Sequence, residues 1–322
     1  MGKLFLGVDV GGTKTHVLLS DTSGDALALG QGGPANPETV GYKGLARLID
    51  DTLDQALEEA GRARHEIVSG GFGIGGYDWP SQREPLLAAL RSVELDFPIE
   101  IVNDALIALL AGAEQGWGVA VVAGTSCNAW GLGPDGNVGR MTGFSWLGEA
   151  AGAGELVQAA LRAIAHQWTR RGPPTRLTEA FVERTNCRNV EDFLEKLTLG
   201  QLHVRAEHAP LVFQVASEGD PVAAELIRWA GRELGDLAIG VIRQLDLQTL
   251  SFEIVLGGSF FKGSPVLMET MQQTIFPVAP QARLTRLHAP PVVGGVLLGM
   301  REAGVETQSL RRRLLASTAL FT

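Results

Sequence analysis

Cysteine is scarce in this chain of 322 residues, which contains only Cys127 and Cys187. The two cysteines stand in unlike contexts and show no Cys-x-x-Cys spacing, so neither a disulfide framework nor a zinc site is indicated. We therefore expect the protein to work in a reducing compartment.

Long apolar runs are also missing. No run reaches the ~18 residues that a membrane-spanning helix needs. The first residues show no basic region, no long apolar core and no small-residue cleavage site. From these absences we expect no membrane span and no signal peptide, and we expect a cytoplasmic protein.

An excess of positive charge is lacking as well. The formal net charge is -9, which argues against a broad nucleic-acid surface, although a local phosphate site stays possible. Hydrophobic residues make up 45% and charged residues 20%, as in ordinary globular proteins. A chain of 322 residues is long enough for two domains.

What is present begins with a glycine-rich hairpin. Apolar runs over Leu4–Val10 and His16–Leu19 predict two strands, and Gly11-Gly12-Thr13 predicts the turn between them. Asp9 ends the first strand, and Thr13, Lys14 and Thr15 add hydroxyls and an ammonium. Glycine backbone and these donors suit a phosphate, and a carboxylate beside them suits hydrated magnesium. A plain chain reversal is the alternative, since the spacing matches neither a Walker A loop nor a dinucleotide fingerprint.

Three further positions follow predicted strands or interrupt loops. Asn36 stands in a Gly- and Pro-rich loop, where simple turn chemistry is the alternative role. A strand that begins at Ile67 runs into Gly71-Phe-Gly-Ile-Gly75-Gly76, and so many glycines predict either close approach of a ligand to the backbone or tight packing of a helix on the strand. Asp104 follows Asn103 at the end of another strand, where open α/β sheets bind ligands. An aspartate there could instead cap the next helix.

The opening pattern then recurs. Ala123-Gly-Thr-Ser126 lies between two apolar runs, as Gly11-Gly12-Thr13 does, and the repeat predicts a duplicated α/β architecture with a cleft between its halves. Gly257-Gly258-Ser259 follows another predicted strand. Glu149 is the one charged residue in the glycine-punctuated loop 143–154, so it either caps a helix or faces a ligand. The segment 172–208 is expected to be helical, and no chemistry is assigned to it.

Taken in order, these motifs resemble those of the N-acetylglucosamine kinases in the BadF/BadG/BcrA/BcrD ATPase group of the actin-like, sugar-kinase and heat-shock ATPase superfamily. The matching stretches are Asp9–Thr15, Asn36-Pro37, Asn103–Ala105, Ala123–Ser126, Leu256–Ser259 and Pro291–Gly295. The resemblance implies an α/β fold of two duplicated ribonuclease H-like domains with a central cleft. We expect the domains to span 1–108 and 109–322, with the last helix returning to the N-terminal domain.

The resemblance also implies roles for individual residues. Asp9 would organise the metal, and nucleotide phosphates would contact the first hairpin at Gly11, Gly12, Thr13, Lys14 and Thr15 and the second at Gly124, Thr125 and Ser126. Adenosine would lie against Gly257, Gly258 and Ser259. The sugar would contact Asn36, Gly75, Gly76, Asn103, Asp104 and Glu149. The implied cofactors are ATP and Mg²⁺, the acceptor is an amino sugar such as N-acetylglucosamine or glucosamine, and a homodimer is expected.

In such a kinase Asp104 would accept the proton of the attacking sugar hydroxyl, because phosphoryl transfer depends mainly on positioning and charge neutralisation. An aspartate with the ordinary pKa of ~3.9 is a weak base. One motif departs from the family pattern Gly-Asp-Glu-Gly-Ser, since this chain has Gly148-Glu-Ala-Ala-Gly152. Glu149 is one methylene longer than the aspartate of the family pattern, and the second acid of the pattern is missing. This departure leaves the identity of the sugar open, and weakened catalysis would also agree with it.

Two alternatives belong to other classes of function. A dehydratase-activating ATPase of the same group would carry an iron-sulfur cluster on cysteines after glycine-rich turns, a pattern that Cys127 and Cys187 do not match. A sugar sensor without catalysis is expected to carry a DNA-binding helix-turn-helix, which is not seen before the first strand, and a less acidic surface.

Overall fold

The computed structural model describes residues 2–144 and 147–321, which form two five-stranded mixed sheets. The first sheet has the order β3-β2-β1-β4-β5. Within it β1 pairs antiparallel with β2 and parallel with β4. Its strands are β1 (Leu4–Val10), β2 (Thr15–Asp21), β3 (Ala26–Gly32), β4 (Ile67–Ile74) and β5 (Ile99–Val102).

The second sheet repeats this order as β8-β7-β6-β9-β10. Here β6 pairs antiparallel with β7 and parallel with β9, as β1 does with β2 and β4. Its strands are β6 (Gly118–Ala123), β7 (Cys127–Leu132), β8 (Val138–Arg140), β9 (Glu253–Gly257) and β10 (Arg283–Arg286). The duplicated α/β architecture expected from the two hairpins is thereby confirmed.

Eleven α-helices among the described residues cover the sheets. They are α1 (Pro37–Ala60), α2 (Arg83–Arg91), α3 (Asp104–Gly112), α4 (Ala153–Trp168), α5 (Leu177–Arg184), α6 (Val190–Thr198), α7 (Ala209–Ser217), α8 (Pro221–Gln244), α9 (Pro265–Ile275), α10 (Val292–Glu302) and α11 (Gln308–Thr318). Within the described ranges no helix combines the length and the apolar character that crossing a bilayer requires. The sequence patterns do not predict β8, α7 or α9, which are short and carry little periodicity.

The chain returns at its end to the first sheet. Helix α10 follows β10 of the second sheet, yet it packs on β1 and β4. Glycine makes this possible, because a Cβ at Gly71 would lie 2.2 Å from the carbonyl oxygen of Gly295, and one at Gly7 would lie 2.5 Å from that of Val292. Gly71, in the glycine run of β4, therefore allows close packing of α10. Helix packing was one of the two roles expected for this run, and approach of a ligand was the other.

The connecting helix α3 contacts β4 of the first sheet and β6, β7 and β9 of the second. We call residues 2–103 with 292–321 the N-lobe, and residues 113–144 with 147–291 the C-lobe. The predicted boundary at residue 108 falls inside α3, and it stays a prediction. Helix α3 starts where β5 ends, so its first residues lie at the sheet edge that also carries the turn after β1.

Candidate active site

The first hairpin presents open backbone at the ends of β1 and β2. The backbone N–H of Gly11 donates to the carbonyl oxygen of Lys14 at 3.0 Å, which closes the turn. Gly12, Thr13 and Lys14 are exposed. Thr15 differs from its neighbours, because it is fully buried and its hydroxyl donates to the carbonyl oxygen of Gly33 at 2.9 Å. The hydroxyl of Thr15 thus braces the turn, and its predicted contact with phosphate stays a prediction.

The second hairpin is built in the same way but is backed by a helix. The backbone N–H of Gly124 donates to the carbonyl oxygen of Ser126 at 2.9 Å. The first residues of α4 support the turn, since the N–H groups of Ala153 and Gly154 donate to the carbonyl oxygens of Gly124 and Thr125, both at 2.9 Å. Thr125 and Ser126 are exposed. Their hydroxyls and the open turn can bind an anion, as expected for Gly124, Thr125 and Ser126.

A cavity of about 990 Å³ adjoins the second hairpin. Gly124 and Thr125 lie at one side, and Ser259, Phe260 and Lys262, which follow β9, lie at another. Gly258 adopts φ +98°, and a Cβ there would lie 2.1 Å from the carbonyl oxygen of Ala123. Glycine is therefore required where the chain leaves β9 beside the end of the parallel strand β6, and the predicted Gly257–Ser259 segment lies beside the predicted phosphate turn.

The remaining wall of this cavity comes from a region to which sequence patterns assign no chemistry. Residues 204–207, 209 and 210 contribute to it, together with Phe213 on α7. The rings of Phe213 and Phe260 meet edge to face, with centroids 5.4 Å apart. An apolar, aromatic cavity of this kind suits a flat ring system. No sequence signal identifies this wall, because its residues carry no motif and are distant in the chain from Gly124–Ser126 and from Gly257–Ser259.

Asp9 lies at the end of β1 beside the first hairpin, with His16 Nδ1 at 3.8 Å from its Oδ2. Within the described ranges no group of three or more His, Cys, Asp or Glu side chains could form a complete metal site. Magnesium in phosphoryl-transfer enzymes keeps several waters and is held by one or two carboxylates together with substrate phosphates. A single carboxylate next to a phosphate-binding turn fits that donor set, so Asp9 can hold the ion.

Asp104 is the first residue of α3, and the capping position belongs to its neighbour Asn103. The side-chain oxygen of Asn103 accepts a hydrogen bond from the N–H of Ala105 at 3.0 Å. Asp104 is therefore not the helix cap that was the alternative to a functional role. Its carboxylate lies near Gly75, where an added Cβ would come within 3.2 Å of Oδ2.

The electrostatics of Asp104 correct one assumption drawn from sequence. Burial, with smaller contributions from the charges of Asp9 and Asp78, raises the pKa of Asp104 to about 7. Two nearby carboxylates and a poorly solvated position both disfavour the charged form. The ordinary pKa near ~3.9 assumed above is thus wrong for the unliganded cleft, and Asp104 is a stronger base than an exposed aspartate.

The predicted sugar contacts of the N-lobe lie close to Asp104. Asn36 caps α1, where its Oδ1 accepts from the N–H of Glu38 at 2.8 Å. The same side chain lies beside the glycine loop, because a Cβ at Gly76 would be 2.9 Å from Asn36 Oδ1. Gly76 has φ +84°, a conformation that favours glycine. The structure therefore brings together Asn36, Gly75, Gly76, Asn103 and Asp104.

Glu149 is engaged with its own loop. Its side chain is 5% exposed, and its carboxylate accepts hydrogen bonds from the backbone N–H groups of Thr142 and Phe144. Residues 145 and 146 of the predicted loop 143–154 lie outside the described residues. The acid thus shapes this loop, and its predicted contact with the sugar stays a prediction.

Sequence patterns missed two polar residues that join the site. Asp78, 9% exposed, accepts at Oδ1 from the side-chain amides of Asn103 at 3.1 Å and Asn128 at 3.2 Å. Burial raises the pKa of Asp78 to about 6, although the hydrogen bond from Asn128 opposes the shift. The two missed residues are Asp78 and Asn128. Each comes two residues after a glycine motif, Gly75-Gly76 or Ala123–Ser126, and this proximity is the one sequence signal that could have identified them.

Comparisons with known proteins assign the chain to a family. The model of the BadF/BadG/BcrA/BcrD ATPase family matches residues 6–299. The chain belongs to the BadF/BadG/BcrA/BcrD ATPase family. It is 26% identical over 314 residues to the N-acetyl-D-glucosamine kinase of Dictyostelium discoideum, covering 92% of this chain and 98% of that protein.

Two more proteins are similar to this chain over nearly their whole length. The N-acetylmuramic acid/N-acetylglucosamine kinase of Clostridium acetobutylicum is 23% identical over 304 residues, with 93% and 99% of the two chains covered. The crystal structure of a provisionally assigned N-acetylglucosamine kinase from Chromobacterium violaceum superposes with a TM-score of 0.69 at 24% identity, covering 92% and 98%. The two-lobed α/β fold predicted from the motifs is confirmed by this match.

Proposed function

We propose that this family member is an ATP-dependent kinase that transfers the γ-phosphoryl group to a hydroxyl of an amino sugar, N-acetylglucosamine or glucosamine. The observation that carries the proposal is the position of Asp104, a carboxylate with a pKa raised to about 7 at the cleft edge that it shares with Asn36 and Gly75. The names of the full-length relatives support the same class of substrate.

The proposed reaction uses both hairpins. The nucleotide base occupies the aromatic cavity, and its phosphates pass over Gly124–Ser126 towards Gly11–Lys14. A sugar hydroxyl held by Asn36 and the Gly75-Gly76 loop attacks the γ-phosphorus while the bond to the β,γ-bridging oxygen breaks. Asp104 takes the hydroxyl proton, ADP leaves, and the products are a sugar phosphate and ADP.

Magnesium enters this scheme through Asp9. When bound there, the ion neutralises charge on the nucleotide phosphates. Lys14 is exposed beside the turn and supplies a second positive charge. The N–H groups of the two turns complete the electrostatic environment of the departing diphosphate.

The cysteines argue against the iron-sulfur alternative. Cys127 is buried, and its sulfur accepts a hydrogen bond from the backbone N–H of Ala151 at 3.3 Å, so a cluster would have to displace packed protein to reach it. Cys187 is also a free thiol, and it follows α5 in the C-lobe, away from both hairpins. The family's kinase branch therefore fits this chain better than its activator branch.

Coupled measurement of ADP release tests the proposal. We expect purified, iron-free protein with MgATP to release ADP only when a sugar is added, with N-acetylglucosamine or glucosamine preferred over N-acetylmuramic acid and glucose. Omission of Mg²⁺ with EDTA is the control. ATP consumption that does not depend on any of these sugars would remove the sugar kinase assignment.

A further inference from the structure

Arg140 bridges the two lobes with its guanidinium group. It is the last residue of β8 in the C-lobe, and its Cζ lies 4.5 Å from the ring centroid of Trp79 in the N-lobe. The same Cζ lies 5.6 Å from the ring centroid of Trp130 on β7. A cation within about 6 Å of an indole face is attracted by the ring quadrupole. Arg140 is therefore shared between an indole of its own lobe and one of the opposite lobe.

A second contact across the cleft comes from the residue preceding Trp79. Asp78 Oδ1 accepts from Asn128 Nδ2 of the C-lobe at 3.2 Å. It also accepts from Asn103 Nδ2 of the N-lobe at 3.1 Å, so one carboxylate oxygen joins amides from both lobes. Gly143 of the C-lobe adds to this contact, since a Cβ there would lie 2.5 Å from Asp78 Cγ.

Each side of this contact is braced by a glutamine. On the C-lobe side, Gln244 of α8 accepts from the N–H of Arg140 at 2.9 Å and donates to its carbonyl oxygen at 3.0 Å. On the N-lobe side, Gln82 accepts from the N–H groups of Asp78 and Trp79, both at 2.8 Å, and donates to the carbonyl oxygen of Gly76. Backbone fixed in this way lowers the entropy cost of joining the lobes.

Solvent exposure of Trp79 also needs an explanation. The indole is 50% exposed and packs over a cation in the opposite lobe instead of entering the N-lobe core. Arg140 forms no ion pair with any described acidic residue. Its charge therefore acts across the cleft through the close contact with the Trp79 ring and, at longer range, on the carboxyl group of Asp78.

We propose that Asp78, Trp79, Asn128 and Arg140 form an interlobe clasp that holds the sugar end of the cleft closed and so positions Asn103 and Asp104 for the acceptor. These four are positioning residues, and the inference rests on the proposed function where it concerns the sugar. If the clasp is loosened, a smaller fraction of molecules is closed, and the apparent affinity for the sugar falls by that fraction. Saturating sugar restores the closed state, so kcat is retained.

Kinetics of variants measure this effect. We expect Arg140→Gln and Trp79→Ala each to raise the sugar KM about five- to thirtyfold, with kcat and the ATP KM within about twofold of wild type. Trp79→Phe keeps an aromatic face and should recover most of the loss. The double variant should be no worse than either single one, because both remove the same contact. Additive KM effects would overturn the clasp.

A matched control comes from Trp168, which is also 50% exposed but ends α4 far from the interlobe contacts. Trp168→Ala should leave the sugar KM unchanged. An equal rise in this variant would show a general loss of structure and would overturn the positioning role.

Small-angle scattering of the ligand-free protein tests the clasp without any substrate. We expect a larger radius of gyration for Arg140→Gln and Trp79→Ala than for wild type and Trp168→Ala, because the lobes separate. Equal radii would overturn the clasp. If the radii differ but wild type phosphorylates none of the sugars, the clasp stands and the proposed function alone fails.

Discussion

The two hairpins occupy equivalent places in two sheets of the same strand order, yet they offer different chemical groups. The first carries Asp9 and Lys14, and its turn is exposed. The second carries only hydroxyls, and its turn is supported by the N-terminal residues of α4. The two halves thus share the shape of the turn that we predict to bind phosphate, while the charged side chains lie at the N-lobe turn alone.

The same contrast extends to the strands beside the hairpins. Gly75 follows β4 and donates to the carbonyl oxygen of Val10 at 2.8 Å. Gly258 follows β9 and lies against the carbonyl oxygen of Ala123, with φ +98°. Both glycines let the central parallel strand approach the hairpin, but the first leads to the acid Asp104 and the second to the aromatic cavity. We infer that the N-lobe side handles the acceptor and the C-lobe side holds the nucleotide.

We expect the largest effect from removal of the proposed base on the acceptor side. Asp104→Asn removes the base while it preserves the shape of the side chain, so kcat should fall about 10²- to 10⁴-fold while the Kd for ATP stays within about twofold. In wild type, kcat/KM should fall tenfold per pH unit below the raised pKa of about 7. Near wild-type turnover of the variant would remove Asp104 from the mechanism.

Stability of the same variant provides an independent check. The pKa of Asp104 is about 7 in the folded protein, against an ordinary aspartate pKa of 3.8, which we take for the unfolded chain. Between these values the native state binds more protons, so stability falls as pH rises through this window. Asp104→Asn should therefore be more stable than wild type by about 1–2 kcal/mol at pH 8, and the difference should disappear near pH 4. Urea unfolding at both values measures it.

An intermediate effect distinguishes the two glycines. Gly258→Ala should lower the free energy of unfolding by about 3 kcal/mol, because the new Cβ meets the Ala123 carbonyl oxygen at 2.1 Å. Gly75→Ala should cost about 1 kcal/mol, since its nearest neighbours lie at 3.1 and 3.2 Å, but it should reduce kcat by crowding Asp104. Gly12→Ala is the control, because its Cβ would meet nothing within 4 Å. If Gly258→Ala and Gly75→Ala lost equal amounts of unfolding free energy, the proposed difference between the two glycines would be wrong.

The smallest expected effect concerns Glu149, whose contact with the sugar is a prediction. Glu149→Gln replaces one of the two oxygens that accept from backbone N–H groups of Thr142 and Phe144, so the free energy of unfolding should fall by about 1 kcal/mol. The sugar KM should rise while the ATP KM does not. Thermal unfolding and ADP release measure the two quantities. An increase in the ATP KM alone would place this loop on the nucleotide side.

Much of the architecture follows from local sequence. The strands over Leu4–Val10 and Ile67–Ile74 have apolar runs bounded by glycine, and α8 has clear helical periodicity, so each could be predicted within a few residues. The order of the glycine motifs, from Asp9 to Gly295, was sufficient to predict the duplicated fold and the family. Local spacing determines these features, because strand, turn and helix preferences act over only a few residues.

Tertiary structure decided how the predicted groups behave. The pKa of Asp104 depends first on burial, which exists only after the lobes fold, and then on the charges of Asp9 and Asp78, which are distant in sequence. Asn103, and not Asp104, caps α3. Asp78 contacts Asn128 and Arg140 contacts Trp79, each in the opposite lobe. Sequence alone determined which residue types are available at each strand end. Their charge states and partners were decided by packing, because desolvation and hydrogen bonding depend on distance in space.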